Sequence, residues 1–118
     1  MKKILILLLL IPLFSFGQTI DSFPWVHNFE NAIGLEQDTT NDRDWWLMQG
    51  STSSQLTGPQ GDHTTGNGMY YYAEASTNGI GYPNQTFITY TPTFDISQTP
   101  GKVLSFWYHM YGSTMGDL

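Results

Sequence analysis

The clearest pattern along the chain is a two-residue alternation of side-chain character. It is sharpest over 69–74, where Tyr70, Tyr72 and Glu74 fall on one face and Met69, Tyr71 and Ala73 on the other. Successive side chains of a strand point to opposite faces, so this stretch predicts a strand with one core face and one exposed, tyrosine-lined face. The alternation recurs over 102–111. Leu104, Phe106, Tyr108 and Met110 are the more apolar set and are assigned to the core, which sends His109 outward or into a polar seam. Aromatic and β-branched runs at 25–29, 45–49 and 85–91 predict three more strands, each bounded by turn-forming residues. Helix signals are weak, and only 28–36 suits a helical turn. Many short strands with Gly and Pro between them predict an all-β sandwich of antiparallel strands. Pattern alone does not separate a jelly roll from an immunoglobulin-type sandwich, although the lack of a cysteine pair counts against the latter.

The first seventeen residues read differently. Lys2 and Lys3 precede an apolar run over 4–14, and Ser15-Phe16-Gly17 supplies small residues at the two positions a signal peptidase needs. The run falls short of the roughly 20 residues of a spanning helix and is broken by Pro12. Residues 1–17 are therefore expected to be a secretory signal peptide cleaved before Gln18, and 18–118 a single domain. Export places the protein outside the cell, secreted or at the cell surface.

Charge narrows the partners. The chain has a net charge of −6, and loss of Lys2 and Lys3 leaves only Arg43 and Lys102 against ten acids. So acidic a chain has no electrostatic footprint for a phosphate backbone, which excludes nucleic acid as the expected partner. An exported chain is allowed disulfides, yet this one contains no cysteine, so stability must come from packing and from any bound ion.

Four segments then stand in a telling order. They are Asn28-Phe29-Glu30, Asn41-Asp42-Arg43-Asp44-Trp45, Gly58-Pro59-Gln60-Gly61-Asp62-His63-Thr64-Thr65, and Phe106-Trp107-Tyr108-His109-Met110-Tyr111-Gly112. Together they resemble the MAM domain, an extracellular adhesion and recognition module. The resemblance spans 23–118 and implies a concanavalin-like jelly roll of two stacked antiparallel sheets. It also implies that further C-terminal strands of the domain are missing, so that 18–118 is a MAM-like domain truncated at that end. Animal MAM domains typically hold paired cysteines, and their absence here suggests a bacterial-type relative.

The expected site follows from the same likeness. In jelly rolls of this type a cation sits at a sheet edge, between an acid near the first strand and an acid of a later loop. Glu30 and Asp62 occupy those places, so they are the expected ligands of Ca²⁺ or another hard cation. Such ions take six to eight oxygens; the two carboxylates, the carbonyls of 62–65 and water would supply most of them, and the C-terminal strands expected to be missing would supply others. The competing reading makes Asp62 a cap for its own loop and Glu30 a solvated strand-end acid.

Other candidates are weaker. Asp38, Asp42 and Asp44 lack the turn glycine and closing acid of an EF-hand loop; the family likeness makes Trp45 a core anchor and Asp44 a backbone partner. His27, His63 and His109 are scattered without metal-ligand spacing, and His63 and His109 are expected to hold loop to strand. Trp46, Tyr70, Tyr72 and Tyr82 could form an aromatic ligand platform. No nucleophile elbow, phosphate loop or paired carboxylates on one strand face point to catalysis. The expected function is non-catalytic recognition or adhesion of an extracellular protein or glycan, with homophilic association included. The alternatives are a carbohydrate-binding module or an accessory domain of a secreted peptidase or glycosidase.

Overall fold

A computed structural model of the chain describes residues 17–30, 35–54, 56–76 and 83–118. The signal peptide expected at 1–17 lies outside them except for Gly17, as do residues 31–34 of the expected helical turn. The protein is all-β, with no helix among the described residues. Its strands are β1 (Thr19–Ile20), β2 (Glu36–Gln37), β3 (Trp46–Gln49), β4 (Met69–Tyr72), β5 (Thr89–Tyr90) and β6 (Thr93–Phe94). They pair as β1–β6, β2–β5 and β3–β4.

The longest ladder joins β3 to β4, antiparallel, with Trp46 opposite Tyr72, Leu47 opposite Tyr71, Met48 opposite Tyr70 and Gln49 opposite Met69. Residues directly opposite share a face. Trp46, Met48, Tyr70 and Tyr72 therefore lie on one side, and Leu47, Gln49, Met69 and Tyr71 on the other. The predicted split of the tyrosines holds, but the tyrosine-lined face is not bare. All four residues of β4 are half-buried, and the Tyr70 hydroxyl donates to the Gly50 carbonyl oxygen at 2.7 Å. β2 and β5 are also antiparallel, whereas β1 and β6 run parallel, against the all-antiparallel expectation. These two strands are far apart in sequence, so no tight turn dictates their direction.

A continuous run of aromatic rings connects these pieces. Phe94 of β6 meets Trp25 edge-on at 5.2 Å between ring centroids, Trp25 stacks on His27 at 5.7 Å, and His27 meets Phe29 at 5.0 Å. Phe29 reaches Tyr71 of β4 at 5.4 Å, Tyr71 stacks on Trp45 at 6.4 Å, and Trp45 meets Phe87 at 6.1 Å. Trp45, expected from the family likeness to be a core anchor, is half-buried and joins Tyr71 to Phe87 within this run.

Two predicted strands form no ladder. Over 25–29 the alternation is real, since Trp25, His27 and Phe29 are half-buried and Val26 is 79% exposed. Phe29, however, has φ 62°, in the left-handed region that strands do not use, and this ends the extended run. Over 102–111 the chain pairs with no described strand. Leu104, Phe106 and Tyr108, assigned above to the core, are 81%, 59% and 70% exposed. The opposite set is exposed as well, Trp107 at 75%, but reaches the earlier loop at two points: the Trp107 ring stacks on His63, and His109 bonds to the Thr57 carbonyl. The 85–91 strand is present only in part, as a bridge between Phe87 and Arg43 followed by β5.

These contacts set an order of sensitivity. Tyr71→Ala removes the ring that joins Phe29 to Trp45 and should cost about 2–3 kcal/mol, whereas Tyr108→Ala should change stability by no more than about 0.5 kcal/mol. Urea unfolding of the two variants checks this, and equal losses would contradict the central place given to the aromatic run.

Candidate functional site

The loop before β4 is built around one carboxylate. Asp62 Oδ2 accepts hydrogen bonds from the backbone N–H groups of Thr64 and Thr65, both at 2.9 Å. Its Oδ1 accepts from the Thr65 hydroxyl at 2.7 Å and from Gly68 N–H at 2.6 Å. Hydrogen bonds to the charged form favour it. The Thr65 hydroxyl foremost, then the Thr65, Gly68 and Thr64 amides, hold this carboxyl well below the usual carboxylate range, against the opposing effect of burial. The capping role weighed for Asp62 is therefore present in the geometry.

Glu30 arrives from the other side. Its Oε1 accepts from Met69 N–H at 3.2 Å, so the adjacent amides of residues 68 and 69 go to two different acids. The two carboxylates meet over Gly68. A Cβ on that glycine would lie 2.5 Å from Glu30 Oε1, 3.0 Å from Asp62 Cγ and 3.2 Å from Asp62 Oδ1. The fold thus brings together the two acids singled out in the sequence. Their donor set of hard oxygens, around a cradle that a methyl group would fill, fits a hard cation. Among the described residues no group of three or more His, Cys, Asp or Glu side chains could hold a metal. A cation here would draw its remaining ligands from carbonyls, hydroxyls and water.

The acids of 38–44 have a different use. Asp38 Oδ1 accepts from Thr40 N–H at 2.5 Å and the Thr40 hydroxyl at 2.6 Å, and Oδ2 accepts from the Tyr90 hydroxyl at 2.5 Å. The Thr40 hydroxyl, followed by the Tyr90 hydroxyl and Thr40 N–H, lowers its pKa to about 2. Asp42 Oδ2 accepts from Thr86 N–H and from the Thr86 hydroxyl, each at 2.8 Å, and Asn41 Oδ1 accepts from Ile88 N–H at 2.9 Å. These side chains take the place of a neighbouring strand's carbonyls. Asp44, expected to bond nearby backbone, instead accepts from the Asn41 side-chain amide at 3.4 Å. The backbone of Trp45 is held by Gln37, whose side chain both accepts from its N–H at 3.1 Å and donates to its carbonyl at 3.0 Å.

The three histidines stay apart in role. His63 stacks on Trp107 at 3.8 Å with the rings 11° from parallel, and His109 Nε2 lies 2.7 Å from Thr57 O, so both tie loop to chain as expected. His27 belongs to the aromatic run. The aromatic platform is only partly realised. Trp46 is 43% exposed and faces Tyr72, but the Tyr70 and Tyr72 hydroxyls turn inward, and Tyr82 lies outside the described residues.

Sequence reasoning put Glu74 on the exposed, tyrosine-lined face, yet it is only 8% exposed. Its carboxylate accepts from the Tyr72 hydroxyl, from Ser76 N–H at 2.8 Å and from the Ser53 hydroxyl at 3.4 Å. Burial pushes its pKa up, but the bonds from Ser76, Tyr72 and Ser53 outweigh that, and the net shift is downward. An acid inside an aromatic strand, with serines on both flanking segments, was the available signal.

Compared with known protein families, residues 27–118 match the MAM domain, meprin/A5/mu. The chain belongs to the MAM domain family. It is 41% identical to mouse (Mus musculus) MAM domain-containing protein 2 over 90 residues, which is 75% of this chain and 12% of that protein. It is 37% identical to Xenopus laevis thyroid hormone-induced protein B over 101 residues, 84% of this chain and 14% of that protein. Zebrafish (Danio rerio) neuropilin-1a is 35% identical over 75 residues, 63% of this chain and 8% of that protein. The chain thus spans about an eighth of the length of the first two relatives. No solved structure matches significantly. MAM domains are jelly-roll-like β-sandwiches and non-catalytic modules of extracellular or membrane-bound proteins. These relatives are animal proteins, so the bacterial-type reading drawn from the missing cysteines finds no support.

The carboxylate clamps make the fold acid-sensitive. Asp62, Asp38 and Asp42 all have folded pKa values below those of the unfolded chain. Their contribution is therefore complete above the unfolded carboxylate value of about 3.9 and is lost as pH falls through the depressed folded values. The melting temperature should hold steady between pH 7 and 5 and fall below about pH 4. Asp62→Asn should melt lower at pH 7 and show a shallower acid limb. Parallel acid limbs for the two proteins would show that Asp62 is not a source of the dependence.

Proposed function

We propose that this MAM domain is a recognition or adhesion module of an exported protein, acting outside the cell by binding another extracellular protein. Membership of the family is the observation that carries this reading. The motif loop supports it. Loops positioned on a rigid scaffold are common sites of recognition, and a loop ordered before binding loses less entropy on association. Here Asp62 accepts from the amides of Thr64, Thr65 and Gly68, the last shared with the Thr65 hydroxyl, while Gln60, His63, Thr64 and Asn67 remain exposed. The leader is removed on export, which gives a mature chain beginning at Gln18.

Fluorescently labelled protein should bind animal cells saturably. Prior protease treatment of the cells should abolish binding, and Gln60→Ala with Asn67→Ala should weaken it about tenfold, a loss of roughly 1.4 kcal/mol. Loss on removing cell-surface glycans alone would favour a carbohydrate-binding module instead. Absence of saturable binding to any cell type would sink the adhesion reading.

A bound cation completes the proposal. Glu30 and Asp62 would each give a carboxylate oxygen to Ca²⁺ or a similar hard ion, which would relieve the repulsion between them and fix the loop to the start of β4. Adding calcium to metal-free protein should raise the melting temperature, by an amount equivalent to about 2.7 kcal/mol at one hundred times the dissociation constant. A melting temperature that ignores calcium up to millimolar concentration would remove the ion from the account.

A further inference from the structure

The two acids meet over a glycine. Gly68 is buried, and its backbone is not in the left-handed region, so local conformation does not call for glycine. Space does. The missing Cβ would stand 2.5 Å from Glu30 Oε1, closer than any real carbon–oxygen contact, and 3.0 Å from Asp62 Cγ. We propose that Gly68 is the positioning residue of the acidic pair: its bare Cα lets the Glu30 and Asp62 carboxylates close over one stretch of backbone, and any side chain there separates them. The part of this inference that concerns a cation rests on the ion reading above; the positioning itself does not.

The two acids would respond unequally to a side chain at this position. Asp62 is pinned by four donors, two on each oxygen. Glu30 is an exposed residue on a longer side chain, and among the described residues its carboxylate is met by Met69 N–H alone, at 3.2 Å. A methyl group at position 68 would therefore displace Glu30 and leave the Asp62 cap largely in place. That makes Gly68→Ala a selective probe. It should open the pair without dismantling the loop, because the atom that must move furthest is the far end of a flexible chain, while Asp62, at 3.0 and 3.2 Å, needs to give by only a few tenths of an ångström. Glu30→Gln supplies the complementary change, removing the charge while keeping the shape.

The experiment is amide hydrogen exchange by NMR on the whole protein, wild type and both variants, with and without calcium. In Gly68→Ala the Met69 amide should lose its acceptor and exchange about tenfold faster, while Thr64 and Thr65 keep their wild-type rates. The calcium midpoint should weaken at least tenfold in both variants. Unchanged Met69 exchange in Gly68→Ala, or equal acceleration at Thr64, Thr65 and Met69, would overturn the positioning role whatever calcium does. If Met69 responds as expected but the wild type shows no calcium effect, the ion reading fails and the positioning role of Gly68 stands.

Discussion

The chain of aromatic contacts from Phe94 through Trp25, His27, Phe29, Tyr71 and Trp45 to Phe87 is the interaction on which the fold depends. The strands are two to four residues long, and no side chain among the described residues is fully buried. Strands so short offer few ladder bonds, and two-stranded sheets are marginal by themselves. Large rings suit this situation, because each buries much area and adds about 0.5–1.5 kcal/mol of edge or stacking interaction to its neighbour. The run visits β6, the segment before the first acid, β4 and the Phe87 bridge in turn, and so links sheets that share no backbone bonds. It also delivers Glu30, which directly follows Phe29, to the start of β4.

Carboxylates do for the loops what rings do for the strands. Asp38, Asp42, Asp62 and Glu74 each accept from backbone N–H groups and from hydroxyls. Charge-assisted bonds of this kind are about twice as strong as neutral ones. The acidity that reads in the sequence as solubility, or as a taste for cations, is spent largely on the protein's own amides. Asp42 and Asn41 extend this furthest, since they accept from Thr86 and Ile88 where a neighbouring strand would otherwise offer carbonyls.

What the sequence made legible was what repeats or what contrasts. The strand β4 was readable because alternation over 69–74 is long and the tyrosines differ from their neighbours, though its pairing with β3 was not. Trp45 and the convergence of Glu30 with Asp62 were reachable only through the family motif, as they lie far apart in the chain. β1, β2 and β6 were not readable: two residues cannot display a period. Over 102–111 the alternation was seen, but neither of its faces is buried: Trp107 is 75% exposed and Leu104 81%. Apolarity chose Leu104, Phe106 and Tyr108, whereas a stacking ring and a carbonyl acceptor chose Trp107 and His109. Periodicity reports that a segment has two faces, and only the neighbour decides which face is used.

The same neighbours connect the two motif segments to one another. His63 follows Asp62 directly, so the clamp that fixes the Asp62 loop also holds the backbone that carries the ring on which Trp107 stacks. Thr57, which lies before the same loop, meets His109. The segment from 106 to 112 is therefore placed by a loop that is itself placed by one carboxylate, and that carboxylate is placed in part by the amide of Gly68. Disturbing the acid would reach the exposed aromatic segment through two side-chain contacts and no shared ladder. In such an arrangement the glycine-rich loop and the later aromatic segment constrain one another, which is the physical reason that their joint occurrence identifies the family more securely than either does alone.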